Sequence, residues 1–143
     1  MTSERYDARS YIDEIVGPTI KDFEQNPTSR RHAFLACVAV FHTIDYIAYP
    51  KSSANQRKKF GSESTDFKLV DHVAHAFKHV QNGKPQGTTN TDIISRPPAF
   101  WNQMMWDLSR WDDPTGGVTL NTDRDVDLLD AVKRASSFLH NKI

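Results

Sequence analysis

The stretch RRHAFLACVAVFHTIDYIAYP, Arg30 to Pro50, decides the fold. It runs from Arg30 to Tyr49 without a glycine or proline, and its apolar residues fall on nearly every side of a helix turned at about 100° per residue. A helix apolar nearly all round belongs in the middle of an assembly. Just before it, Asn26-Pro27-Thr28-Ser29 supplies a turn and a hydroxyl that can accept from an open backbone N–H. Pro50 stops the helix at about Tyr49.

Working outward toward the N-terminus, Tyr11, Ile12, Ile15, Val16, Ile20 and Phe23 recur at helical spacing, which predicts an amphipathic helix over Asp7 to Gln25. Gly17-Pro18 is expected to kink or break it. On the other side, KSSANQRKKFGSES, Lys51 to Ser64, reads as a polar, basic connection, long for a compact domain. A third helix is expected from Thr65 to Gln81, ending at Asn82-Gly83. After the polar loop GKPQGTTNTD, the segment SRPPAFWNQMMWDLSRW predicts a fourth helix, with Ser95 or Arg96 as cap and Pro97 and Pro98 in its first turn. Val118-Thr119-Leu120, between turn residues, predicts one short strand or hairpin. A last helix from Asp125 to Asn141 is expected to bury Val126, Leu129, Val132, Phe138 and Leu139.

These elements define a mainly α fold: residues 1–143 as one domain, a bundle of four to five helices with a short β element near the C-terminus. A chain of 143 residues can bury one sizeable core. Formal charge balances to zero, so no strong long-range field toward nucleic acid or membrane is expected from the total. The lone Cys37 excludes an internal disulfide. With no apolar leader or spanning run, a soluble, cytoplasmic protein without a membrane partner is expected.

Chemistry-bearing residues concentrate in VDHVAHAFKHV, Val70 to Val80, which holds three of the six histidines. Val70, Val73, Ala74, Phe77 and Val80 cluster on one side of that helix, with Lys68, His72, His75 and His79 opposite. His72 and His79 lie about 10.5 Å apart along the axis, too far to share one ion, which leaves His75 and His79 as a pair. Their i, i+4 spacing is that of the zinc-protease helix, but HAFKH lacks the glutamate of that motif. No Glu-x-x-His pair supports a carboxylate-bridged di-iron bundle.

Further ligands would come from the central helix, where His42 and Asp45 share a face with Phe34, Leu35 and Val38 that is expected to be buried. The plain reading is a satisfied core pair, Asp45 fixing the His42 tautomer. The sharper reading sets His42 and Asp45 across from His75, Lys78 and His79, in a polar pocket between helices two and three. His42, Asp45 and Lys78 would then bind a ligand; alternatively His75, His79, His42 and Asp45 would hold a divalent metal such as zinc or iron.

FHTID followed by VDHVAHAFKH resembles a pattern in short bacterial helical proteins whose shape is similar to HEPN-like domains. HEPN ribonucleases carry an arginine followed four to six residues later by a histidine, and Arg134 and His140 in RASSFLH match that spacing. Ala135 stands where that motif has a polar residue. The resemblance implies RNA cleavage by Arg134 and His140 as an alternative activity.

Other patterns carry less. Asp123, Asp125 and Asp127 alternate like the start of a calcium loop, but Leu128 and Arg134 occupy the positions of its glycine and bidentate glutamate. Asp123 and Asp125 are therefore read as charges at the start of the last helix. Phe100, Trp101, Met104, Met105, Leu108 and Trp111 form an apolar stripe expected in the core or, if exposed, at a homodimer contact. Arg57-Lys58-Lys59 reads as a solvated run. The function expected from all of this is a small binding or interaction module, with a small ligand or protein as partner. A metal-dependent enzyme on the same residues, or an RNA-cleaving one, is the alternative.

Overall fold

The computed structural model describes residues 6–78, 89–99, 104–110, 113–121 and 125–143. Helix α1 (Ala8–Tyr11) leads through a π-helical segment, Ile12–Val16, into α2 (Gly17–Gln25) without a break. Pro18 has no N–H to give the carbonyl one turn back, so the expected kink takes the form of a widened turn just before it. The rod buries Tyr11, Ile12, Val16 and Phe23.

Helix α3 (Arg30–Ala48) is the central element, starting where Ser29 accepts a hydrogen bond from the His32 N–H at 3.2 Å. It packs against the rod, against α5 (Thr65–Lys78) and against α6 (Leu128–His140). Its inward arc is Ala33, Ala36, Cys37, Ala39, Val40, Thr43 and Ile44, mostly small side chains. Small residues let neighbouring backbones come close, so the bulky Phe34, Leu35, Phe41, Tyr46 and Tyr49 are left on the outer arc. His42 and Asp45 do share a face with Phe34, Leu35 and Val38, but that face is the outer one. Both polar side chains are half exposed, which corrects the expectation of a buried pair.

Residues 51–64 are also not a loop. Helix α4 (Ala54–Glu63) forms there although its sequence is polar, because Phe60 drops into an aromatic cluster with Phe67 and Phe138 at centroid distances of 6.1 and 5.5 Å. Tertiary anchoring of this kind, more than intrinsic propensity, makes a ten-residue helix stable. Ser64 then ends α4 and, by accepting from the Phe67 N–H at 3.1 Å, begins α5. The α5 apolar face of Phe67, Val70, Val73 and Ala74 is buried as expected. Its predicted end at Asn82-Gly83 lies outside the described residues.

The predicted fourth helix is replaced by a strand at its start. A residue before proline is driven toward extended backbone, and both Arg96 and Pro97 precede one. Accordingly β1 (Ile93–Arg96), after a 3₁₀ turn at Asn90–Asp92, pairs antiparallel with β2 (Gly117–Asn121), Ile93 opposite Leu120 and Arg96 opposite Gly117. Strand β3 (Asp125–Asp127) flanks the other side of β2, completing a three-stranded sheet. The whole of Val118-Thr119-Leu120 is buried. Gly116 makes the turn into β2 with φ +69°, where a Cβ would press on the Arg96 carbonyl and approach Thr28 Cγ2 at 2.8 Å. Residues 104–110 run through turns, with Met105 of the expected apolar stripe exposed and Trp106 beside it exposed as well. Phe100, Trp101 and Trp111 lie outside the described residues.

The last helix starts later than expected, because Asp125 to Val126 are taken into β3 and Asp127 is the cap, accepting from the Asp130 N–H at 3.2 Å. Its buried stripe is Leu128, Ala131, Val132, Ala135 and Leu139, while Val126, Leu129 and Phe138 are half-buried. Counting the rod as one, five helices and one small sheet surround a continuous core among the described residues. The fold is mainly α with its β element near the C-terminus. None of these helices is long and apolar enough to cross a membrane.

Candidate functional site

The outer arc of α3 faces the N-terminal rod, and the two enclose a cleft of about 780 Å³ lined by Tyr6, Asp7, Tyr11, His42, Asp45, Tyr46 and Tyr49. The chain has four tyrosines, and all four are here. Tyr11 is set deepest, its hydroxyl donating to the Ala39 carbonyl at 2.7 Å and its ring stacked on Tyr46 at 4.4 Å. Tyr6 meets Tyr46 edge-on at 5.8 Å. Asp7 caps α1 by accepting from the Ser10 N–H at 2.9 Å, which fixes the mouth of the cleft at the start of the rod.

His42 Nδ1 lies 2.9 Å from Asp45 Oδ2, one turn apart on α3. An ionised carboxylate can only accept, so Nδ1 carries the proton and Nε2 of a neutral ring keeps its lone pair for another group. The cleft is electronegative as well as aromatic. Burial first, then Tyr46 and the charge of Asp45, pushes the Tyr11 phenol up to about 12. Loss of water and a hydrogen bond with Glu14 hold the Tyr6 phenol above its ordinary value.

His42 also stands on the edge of a smaller groove of about 170 Å³ between α3 and α5, lined by Phe34, Val38, Phe41, His42, Ala74, His75 and Lys78. Here His42, His75 and Lys78 line one groove. Asp45 does not join them, because it lies toward the tyrosine cleft, and His79 is outside the described residues. His75 is engaged with its own helix: Nδ1 sits 2.8 Å from Asp71 Oδ1 and its ring edge meets Phe41 at 5.1 Å. Among the described residues no group of three or more His, Cys, Asp or Glu side chains is placed to hold a metal ion.

Asp71 is the residue that spacing alone passed over. It is buried on α5 and takes Arg57 of α4 in a fork, Nε to Oδ2 at 2.7 Å and Nη2 to Oδ1 at 2.9 Å, besides the contact with His75. The signal was present, since Asp71 lies next to Val70 on the apolar side of a helix whose other polar residues face outward. Beside this network a cleft of about 470 Å³ collects Arg57, Lys58, Lys68, Asp71 and His72 between α4 and α5. Burial, and then the nearby cations Lys68 and Arg57, lower the His72 pKa against the opposing pull of Asp71.

Arg134 and His140 are not brought together. Six residues on a helix turn through about 600°, which puts the two side chains on different faces of α6. Arg134 reaches Asp66 at 3.1 Å, whereas His140 is exposed beside a shallow hollow lined by Ile12, Ser136, Ser137 and Asn141. Asp125, read as a helix charge, instead pairs with Arg96 at 3.4 Å and with Arg110, tying β3 to β1 and to the turns that follow β1. Comparison of the chain with protein-family models, with curated proteins and with solved structures gives no match in any of the three.

Proposed function

We propose that the protein is a small ligand-binding module whose site is the cleft between the N-terminal rod and α3. The observation that carries this reading is the convergence of all four tyrosines with the His42–Asp45 pair on one concavity of about 780 Å³. That volume falls within the range of small-molecule sites, and an aromatic wall with a few polar groups is the usual composition of such a site. Tyrosine gives large contact area at low entropic cost, with a hydroxyl to fix orientation. His42 and Asp45 supply the polar handle, Asp45 toward the rod and His42 shared between this cleft and the α3/α5 groove.

Nothing in this reading needs a bond to be broken. A fragment screen by ¹H–¹⁵N NMR on the labelled chain tests it. Hits are expected to shift the amides of Tyr11, His42, Asp45 and Tyr46, and substitution of Tyr46 by Ala is expected to weaken them. Hits confined to the α3/α5 groove or to the α4/α5 cleft, or no hits at all, would overturn it.

A further inference from the structure

We infer that the tyrosine cleft selects a small organic cation of the alkylated-ammonium type. The inference rests on the cleft being a ligand site and adds the class of ligand.

Three features of the lining point the same way. Four tyrosine rings line the cleft, and Tyr46, stacked on Tyr11 and meeting Tyr6 edge-on, keeps 37% of its surface exposed, so the wall offers the aromatic quadrupole to a cation. Two carboxylates, Asp7 and Asp45, lie in the lining, Asp7 bonded at the start of α1 and Asp45 by His42. Among the described residues, no lysine or arginine lines the cleft. A cation entering here would meet rings and carboxylates together. The Tyr11 phenol is raised first by burial, and the charge of Asp45 adds to the rise.

An alkylated ammonium suits these walls better than a bare metal ion or a primary amine. Its charge is spread over a greasy surface, so it is weakly hydrated and loses little when water is replaced by aromatic rings. The α4/α5 cleft has the opposite character, with Arg57, Lys58 and Lys68 in its lining. The same probe is therefore not expected there.

The test uses choline on the full-length labelled chain, beside 3,3-dimethyl-1-butanol, which has the same shape with carbon in place of the charged nitrogen. Choline is expected to shift the amides of Tyr11, His42, Asp45 and Tyr46, and the neutral alcohol to bind about fivefold more weakly or worse. Tyr46→Phe is expected to keep choline binding, and Tyr46→Leu and Asp45→Asn to weaken it several-fold. If Tyr46→Leu fails to fold, Tyr6→Leu at the exposed side of the cleft provides the same comparison. Equal or tighter binding of the neutral alcohol, or choline shifts outside the cleft, would overturn the cation preference. Screening fragments that enter the cleft while choline does not would sink this inference alone; if neither enters, the ligand-site reading falls with it.

Discussion

Among the described residues, two aspartate–histidine pairs lie on neighbouring helices, and they are built for different work. On α5, Asp71 and His75 are one turn apart, with side chains only 9% and 24% exposed, and Arg57 closes the remaining valence of the carboxylate. On α3, His42 and Asp45 are also one turn apart, but each keeps 51% of its side-chain surface open. A buried carboxylate must be bonded on all sides or it destabilises the fold. The exposed pair carries no such obligation, so its unused oxygen and ring nitrogen are open to a ligand. The difference teaches that the identity of a pair says little about its role, and that the face it occupies says a great deal.

The sharpest way to break this comparison is at Asp71. Replacing it with Ala leaves the Arg57 guanidinium without its carboxylate, while His75 keeps the backbone carbonyl of residue 71, and the expected loss is about 3 kcal/mol of unfolding free energy in urea titrations. Faster amide exchange in α4 is expected with it, because Arg57 and Phe60 are that helix's main ties to α5. A loss under about 1 kcal/mol would show that the buried pair is not structural.

Tyr11 lies between the two extremes, buried like Asp71 but inside the cleft. Tyr11→Phe removes the hydrogen bond to the Ala39 carbonyl and is expected to cost about 1 kcal/mol. The folded phenol ionises near 12 against an ordinary 10.0, so its contribution is complete below pH 10 and is lost as pH rises through 12. An ultraviolet titration of the folded chain is expected to show a tyrosinate forming near pH 12 that the Phe variant lacks.

Much of this was legible in the residues themselves. Ser29 and Pro50 bound α3 because cap and stop chemistry is local, and Val118 to Leu120 read as a strand because turn residues enclose them. The reading failed where tertiary contact decides. Phe60 is the one buried side chain in Lys51 to Ser64's polar middle, and with the Arg57–Asp71 pair it holds a helix there, but one apolar anchor leaves no periodicity to detect. The segment from Ser95 reads as the start of a helix, yet Arg96, before a proline, ends strand β1 instead. On α3 the apolar residues go all the way round, so periodicity could group His42 with Phe34 and Val38 but could not say which arc faced inward. The small alanines hold that answer, since only they let the other helices approach.

Subtler effects separate the two regions under mild acid. His72, beside the buried network, is held below its ordinary 6.5 by burial and by Lys68 and Arg57. The sign follows: the unfolded chain takes up this proton first, so stability present above pH 6.5 is lost as pH falls through the folded value. His72→Gln is expected to flatten the decline of the urea midpoint between pH 7 and 5. A slope equal to the parent's would remove His72 from the account.

The smallest expected effect on stability is at Asp45, and it is the most informative for function. An exposed ion pair one turn apart on a helix contributes little, so Asp45→Asn is expected to change unfolding free energy by no more than about 0.5 kcal/mol. The same change removes a negative charge from the tyrosine cleft while preserving the shape of the side chain. Choline affinity should therefore fall several-fold on a background of unaltered folding, the reverse of what Asp71→Ala is expected to do. A destabilisation approaching that of Asp71→Ala would mean that the outer face of α3 is covered by a contact that buries it. The pair would then be structural on both helices, and the contrast between an obligated and an available carboxylate would collapse.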